Sequence, residues 1–502
     1  MASGTKLTNR GSGRINNHTV PTNTPNIKTY AQTTDKHWVE GSQTVDDKTY
    51  VDGDEVHARV EMSLPDPSQL AKPLTDVTLV DNYSDYADKV DYKSAQVLEN
   101  GKDVSNQYTI TNVGGKITAM RKTPGTSPAG TVQLLVNFKV KTGVASGTQL
   151  NNYGSGRINN NTVATNNAKV VTYQQTTDKH WVDGTQIVDG KTYVDGDTIN
   201  GQVSMSLPNP ATLAKKLTKV SVTDDYSNFK DKVDYQEAHV YENGVDVTSQ
   251  YNIVNNAGTG TVTATRKDAA SAPKGTVVLT ATWKVHDDVA SGTKLVNGGL
   301  GTINESTVKT PDRTIETWKQ NKPVKHWVEG SQEVDGKVAL DNDVISAQVT
   351  SDLPNPSDLA HKLSNVQVID DYSQFKNHVK TSSIRVLENG VDVTSQYTIE
   401  DNAGTGIITA TRKDPSTTPA GKVQMNVSFQ INADTPSGTT FKNTPISVIN
   451  KSRVTGQEVT LTTYQQTTDK HWTEGSQVVD DKTYIASDTI NARVEMSLPD
   501  PS

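Results

Sequence analysis

A chain of 502 residues with 33% hydrophobic and 21% charged residues has room for three or four domains with narrow cores and wide solvated faces. Its net charge of −8 and the lack of any basic run exclude charge-driven binding to nucleic acid or anionic membrane. The absence of cysteine excludes disulfides and thiolate metal sites, and no apolar run reaches the ~18 residues that a membrane-spanning helix needs.

Internal repetition sets the organisation. Lys-His-Trp begins at Lys36, Lys179, Lys325 and Lys470, and Ser-Gly-Thr begins at Ser3, Ser146, Ser291 and Ser437. Residues 1–30 read as the closing part of one repeat. Full repeats are predicted at 31–173, 174–318 and 319–464, and 465–502 reads as the opening part of another, running to Leu498-Pro499-Asp500-Pro501-Ser502. The two end pieces lack the middle of a domain and are expected to be poorly ordered or edge-paired. A period of about 145 residues is too long for a solenoid and suits independent domains. The short joint Tyr173-Gln174-Gln175-Thr176-Thr177-Asp178 is not Gly/Ser-rich, which predicts a semi-rigid rod.

Along each repeat the signals are those of strands. After the Lys-His-Trp strand, Asp52-Gly53 and Asp195-Gly196 read as tight hairpin turns. Short helices are expected near 67–71 and 84–90. Asn100-Gly101, Asn243-Gly244 and Asn389-Gly390 read as further hairpins. Thr261-Val262-Thr263-Ala264-Thr265 alternates with period two, and 277–285 is dense in strand formers. The predicted fold class is all-β: tandem immunoglobulin-like two-sheet β-sandwich domains in an elongated rod.

Three polar positions recur on the apolar face of these strands. Lys36 shares a strand face with Trp38, because side chains alternate. Asp81 closes the inward series Val77, Leu79, as Asp224 closes Val220, Val222 and Asp370 closes Val366, Val368. Asn152 lies two residues after Leu150, Asn297 after Leu295, and Asn443 after Phe441. Asn159 follows Ile158 directly and is expected to point outward. Each full repeat is therefore predicted to bury a Lys, an Asp and an Asn, which is costly unless they interact. Burial favours a neutral, nucleophilic Lys and a protonated Asp. Such a pair can condense the Lys amine with the Asn side chain, expelling ammonia. A buried Lys–Asp ion pair beside the Asn is the alternative.

The ordered run from Lys-His-Trp through Asp-Gly-Lys-Thr-Tyr, Leu-Pro-Asn-Pro, Asp-Asp-Tyr-Ser and Glu-Asn-Gly-Val-Asp-Val-Thr to Ser-Gly-Thr-x-Leu-x-Asn resembles the isopeptide-forming C-terminal domains of the streptococcal antigen I/II adhesins, with similar domains in lactobacillal surface proteins. The resemblance covers essentially the whole chain, three times over. It implies sandwiches with an Asp-promoted Lys–Asn bond, some with calcium, forming the wall-proximal stalk below an adhesive head. The pattern maps onto Lys36, Asp81 and Asn152; Lys179, Asp224 and Asn297; and Lys325, Asp370 and Asn443. Lys470 and Asn9 have no partners for such a bond in this chain.

The resemblance further implies an extracellular, cell-wall-anchored, monomeric protein. Host ligand and peptidoglycan attachment would then lie in parts outside this chain, with no nucleic-acid partner and no membrane insertion. No cofactor is expected beyond structural calcium, for which Asp52-Gly53-Asp54 and Asp341-Asn342-Asp343 are the oxygen-rich turns, although plain turns suit them better. His37, His180, His326 and His471 lack a second His at ligand spacing and read as strand positions. A rival reading has the repeats bind a host glycoprotein or glycan through Tyr83, Tyr226 and Tyr372, residues that otherwise pack beside the short helix. The chain is not expected to be an enzyme beyond one autocatalytic turnover. It carries no nucleophile elbow, phosphate loop or metalloprotease helix.

Overall fold

In a computed structural model, which describes residues 1–433 and 435–499, each repeat pairs its strands into two facing sheets. In the first repeat, the six-stranded sheet runs in the order Lys102–Asp103, Val90–Glu99, Gly130–Val140, Glu55–Leu64, Thr34–Glu40, Gln43–Thr44. The seven-stranded sheet runs Tyr108–Val113, Lys116–Arg121, Val77–Asn82, Gln149–Ile158, Ala168–Tyr173, Thr49–Val51, with Asn161–Ala164 paired beside Gln149–Ile158. The pairings are antiparallel except the last, where Thr49–Val51 runs parallel to Ala168–Tyr173. The second and third repeats have the same order.

Period-two alternation builds the core. Val56, Ala58, Val60, Met62 and Leu64 face inward from one strand, opposite Val132, Leu134, Val136, Phe138 and Val140 from its neighbour. In each full repeat the Trp of Lys-His-Trp is fully buried and sits against two aromatic rings. Trp38 lies 5.9 Å from Tyr86 and 6.4 Å from Phe138; Trp181 lies 5.5 Å from Phe229 and 6.1 Å from Trp283; Trp327 lies 5.7 Å from Phe375 and 6.2 Å from Phe429. The two short helices are single 3-10 turns, Pro67–Gln69 and Ser84–Tyr86.

The Asn-Gly turns are hairpins, with Asn100 and Gly101 both at positive φ between the paired residues Glu99 and Lys102. The Asp-Gly turns are not. Asp52-Gly53 separates Thr49–Val51 in one sheet from Glu55–Leu64 in the other, and Asp195-Gly196 does the same. Each is a corner where the chain changes sheets. The flanking strands cannot pair, because the Ala168–Tyr173 strand captures Thr49–Val51.

These corners also form the joints between repeats. Asp54 Oδ1 accepts from Asn304 Nδ2 at 3.0 Å, and Lys215 Nζ donates to the Glu55 carbonyl at 2.6 Å. At the next joint Asn450 Nδ2 and His361 Nε2 meet Asp197 Oδ2 at 3.3 Å and 3.2 Å, and Ser452 Oγ donates to Asp195 Oδ2 at 3.1 Å. A parallel bridge joins each pair of neighbours, Thr49 with Leu213 and Thr192 with Leu359. Among the described residues, the strands of the end pieces pair only with one another: Lys6–Thr8 with Asn26–Lys28, Ser12–Ile15 with His18–Pro21, and Thr468–Glu474 between Gln477–Val478 and Asn491–Met496.

Candidate functional site

The three recurring polar residues reach one point in the core from different strands. Lys36 comes from the edge of the six-stranded sheet, while Asp81 and Asn152 come from adjacent strands of the facing sheet. The chain around Lys36 is fixed from both sides. Asn166 accepts from the Lys36 N–H at 2.7 Å and donates to its carbonyl at 2.8 Å, and Asp46, held by His37, accepts from the Trp38 N–H at 2.7 Å. The four Lys-His-Trp histidines thus serve as partners of an Asp nine residues on.

Lys36, Asp81 and Asn152 have no exposed surface, nor do Lys179, Asp224 and Asn297; in the third repeat Asp370 and Asn443 have none and the Lys325 side chain is fully covered. The amine meets one Asp oxygen in every repeat. Lys36 Nζ bonds Asp81 Oδ2, Lys179 Nζ lies 2.7 Å from Asp224 Oδ2, and Lys325 Nζ lies 2.5 Å from Asp370 Oδ2. The Asn side chain completes the cluster. Asn152 Nδ2 is 3.5 Å from Asp81 Oδ2. In the second repeat, a methyl group placed on Gly201 would fall 2.5 Å from Lys179 Nζ and 2.8 Å from Asn297 Nδ2, so both nitrogens crowd one spot. That glycine stands where the other repeats have Ala58 and Ala347, and it accompanies Trp283 where they have Phe138 and Phe429. The larger ring is accommodated by the smaller neighbour.

Charge is the unstable element of this cluster. Burial lowers the Lys36, Lys179 and Lys325 pKa values against the opposing pull of their Asp partners, and burial raises that of Asp224. In the second repeat both directions work against the charged pair and favour moving the ammonium proton to the carboxylate. Hydrogen bonding is also incomplete. Asp81, Asp224 and Asp370 each leave Oδ1 without a partner, Asn152 leaves Oδ1, and Asn297 and Asn443 leave both amide atoms so. Each buried polar atom left unpaired costs ~1–3 kcal/mol, so a purely non-covalent cluster is poorly satisfied.

The other sequence candidates lie elsewhere. Asn159 is half-buried at φ 53°, and its side chain accepts from the Thr75 and Asp76 N–H groups as a turn residue. Tyr83, Tyr226 and Tyr372 are buried, each hydroxyl donating to a strand residue (Asn112, Asn255 and Asp401), so they offer no exposed aromatic surface. The Asp52–Asp54 corner is held by backbone donors. Asp52 Oδ2 accepts from Gly143 N and Asp54 Oδ2 from Val51 N, and no group of three or more His, Asp or Glu side chains converges for a metal among the described residues. Lys470 and Asn9 lie on exposed backbone far from such a cluster.

One buried polar group escaped sequence reasoning. Glu99, on the six-stranded sheet, accepts from Tyr108 OH at 2.8 Å and pairs with Arg121, both on the facing sheet. Glu242 with Tyr251 and Arg266, and Glu388 with Tyr397 and Arg412, repeat it. The inward alternation from Val97 to Glu99 was the available signal.

The family model for the cell surface antigen I/II C2 terminal domain matches this chain three times, at residues 31–173, 169–312 and 319–462. The chain belongs to that family. A search of curated proteins gives no match. Among solved structures, the C-terminal domain of the Streptococcus agalactiae AgI/II polypeptide BspA is 15% identical over 57% of this chain and 100% of its own, with a TM-score of 0.47. That of the Streptococcus pyogenes antigen I/II-family protein AspA is 16% identical over 57% and 99%, with a TM-score of 0.48. BcpA, the major pilin subunit of Bacillus cereus, is 11% identical over 86% and 98%, with a TM-score of 0.28. The three antigen I/II C2 repeats are thus those of a surface antigen, and their triads lie at corresponding places in the sandwich.

Proposed function

We propose that these repeats, spanning 31–173, 174–318 and 319–464, form the stalk of a wall-anchored adhesin, and that each is braced by a self-formed Lys–Asn isopeptide bond. The observation that carries the reading is the buried Lys–Asp–Asn triad in all three repeats, with the Asn carbonyl oxygen and one Asp oxygen left unpaired in each. In this reaction the neutral Lys36 amine adds to Asn152 Cγ. Asp81 polarises the carbonyl and passes the amine's proton to the departing NH2, so one C–N bond forms, one breaks, and ammonia leaves. Asp224 and Asp370 do the same for Lys179–Asn297 and Lys325–Asn443. The new amide N–H remains beside the carboxylate that had paired with the ammonium. Ligand binding and peptidoglycan attachment belong to parts of the protein outside this chain, and the repeats need no cofactor and act as a monomeric rod.

Intact mass under denaturing conditions tests the reading. Each bond removes about 17 Da, so three bonds give a deficit of about 51 Da. A mass equal to the sequence would reduce the triads to ion pairs.

A further inference from the structure

The strand that carries Lys36 lacks a full neighbour on its outer side. Thr34–Glu40 pairs there only with Gln43–Thr44, through Val39 and Glu40. The N–H groups of Lys36 and Trp38 donate to side chains instead, and one histidine ties those side chains together. His37 Nδ1 lies 2.6 Å from Asp46 Oδ2, and Nε2 lies 2.9 Å from Asp35 Oδ2. The other oxygen of each carboxylate takes a backbone N–H: Asp46 Oδ1 that of Trp38 at 2.7 Å, and Asp35 Oδ1 that of Lys36 at 2.9 Å. Carboxylates only accept, so a ring held between two of them carries a proton on both nitrogens. His180 repeats the bridge between Asp178 and Asp189, at 3.1 Å and 2.8 Å. His471 repeats it between Asp469 and Asp480, at 2.9 Å and 2.7 Å, beside a lysine that has no triad, so the bridge forms locally.

The third repeat has half of this bridge. Val324 stands where the others have Asp35 and Asp178. His326 keeps Asp335 at 2.8 Å, with Glu333 3.5 Å from the same nitrogen, and Asp335 still accepts from the Trp327 N–H at 2.7 Å. A second grip is missing as well. Asn166 donates to the Lys36 carbonyl and Arg313 to that of Lys179, whereas among the described residues no side chain bonds the Lys325 backbone.

We propose that the histidine-bridged carboxylates are a positioning device for cross-linking: they fix the main chain on both sides of the lysine so that its amine meets the Asn, and the third repeat, with one arm, closes last. This rests on the isopeptide reading above. Asp35, His37 and Asp46 are positioning residues that act through the Lys36 backbone. Holding reacting groups in place beforehand removes part of the barrier, and a misplacement of about 1 Å can cost ~10²-fold in rate. Charge acts in the same direction. Burial lowers the Lys36 pKa while Asp81 and then Asp46 oppose it, and the imidazolium offsets the Asp46 charge.

The test follows all three bonds in one chain. The full 502-residue chain is made by cell-free synthesis and quenched in acid at intervals, after a hydrogen-exchange pulse that reads how much of each repeat has folded. After proteolysis, the cross-linked peptides of Lys36–Asn152, Lys179–Asn297 and Lys325–Asn443 are quantified by mass spectrometry. His37→Ala should slow the Lys36–Asn152 bond by roughly 10- to 10²-fold with the folded fraction unchanged and the other two bonds as internal controls. Val324→Asp, at an exposed position, should complete the third bridge and speed the Lys325–Asn443 bond several-fold. Unchanged rates would overturn the inference, as would rates that merely track the folded fraction. If His37→Ala does not fold, Val324→Asp decides alone. A wild-type chain with no cross-linked peptide from any repeat would overturn the isopeptide reading and the inference with it.

Discussion

The proposed bond between Lys36 and Asn152 would change how far the first repeat can stretch, and the change can be worked from the topology. The loop it closes holds about 116 residues, or ~400 Å of chain at ~3.5 Å per residue. With the bond in place that length is withheld from any pull along the chain. What remains free is the stretch from Asn152 to Lys179, about 27 residues, which spans no more than ~95 Å when fully drawn out. Even this stretch is clamped. Ala168–Tyr173 is paired antiparallel to Gln149–Asn152 and parallel to Thr49–Val51. Tension enters at Asn152 and leaves beyond Tyr173, at opposite ends of the antiparallel pair, so these bonds are loaded in shear and must break together. Single-molecule stretching of the whole chain should therefore show only short releases, below ~95 Å per repeat. Asp81→Ala, which removes the proton carrier, should restore one release of ~400 Å or more, from the first repeat alone. Long releases from all three repeats of the unaltered chain would refute the reasoning.

Three further outcomes follow from particular contacts. Gly201→Ala should block the Lys179–Asn297 bond, because the added methyl meets both nitrogens, whereas Gly201→Ala with Trp283→Phe recreates the first repeat's Ala58 and Phe138 and should restore it; peptide mass spectrometry reads both. Arg121→Met leaves Glu99 buried without its cation, which costs ~3–5 kcal/mol and should appear as faster hydrogen exchange across Val90–Glu99 and Lys116–Arg121. At the joint of the second and third repeats, the hydrogen bond to Asp197 raises the His361 pKa against partial desolvation, with Asp183 adding to the rise and Tyr193 packed on the ring. The raised value means that this joint gains stability fully below the ordinary 6.5 and loses it as pH climbs through the higher folded value. Exchange at the Ala360 amide, which bonds Thr192, should then accelerate over that range after correction for intrinsic rates. Exchange at the Ala214 amide of the first joint, where Lys215 replaces His361, should not. Equal acceleration at the two joints would count against the His361 contact.

Strand alternation made the triad legible, because a two-residue period assigns each side chain to a face without knowledge of the partner strand. The same rule placed Asn159 outward. It failed where a local signal had two structural outcomes. An Asp-Gly pair makes a tight turn either way, and Asp54 N does bond Val51 O at 3.0 Å. Whether the flanking strands then pair depends on Ala168–Tyr173, more than a hundred residues on. Glu99 was hidden for a related reason. It precedes an Asn-Gly hairpin, where a charged residue reads as solvent-facing, and Arg121 and Tyr108 reach it from the opposite sheet. Tyr83 was ambiguous because its hydroxyl partner, Asn112, lies on a strand whose register only the fold sets.

The third repeat bears most directly on what the triad is for. It has Asp341-Asn342-Asp343 at its corner, Pro445 where the others have Gly154 and Gly299, and Ser447 where they have Gly156 and Gly301. Through these changes Lys325, Asp370 and Asn443 stay buried, with the amine 2.5 Å from the acid. Stability of an ion pair does not account for that, since apolar residues commonly replace a buried pair at no cost or with a gain. Nor does an ion pair account for the Asn, whose amide finds no hydrogen-bond partner in the folded repeat. An amide without partners, held beside an amine whose pKa burial lowers, is poorly explained as packing. The proposed condensation accounts for it, because it would remove both the buried amine and the unpaired amide nitrogen.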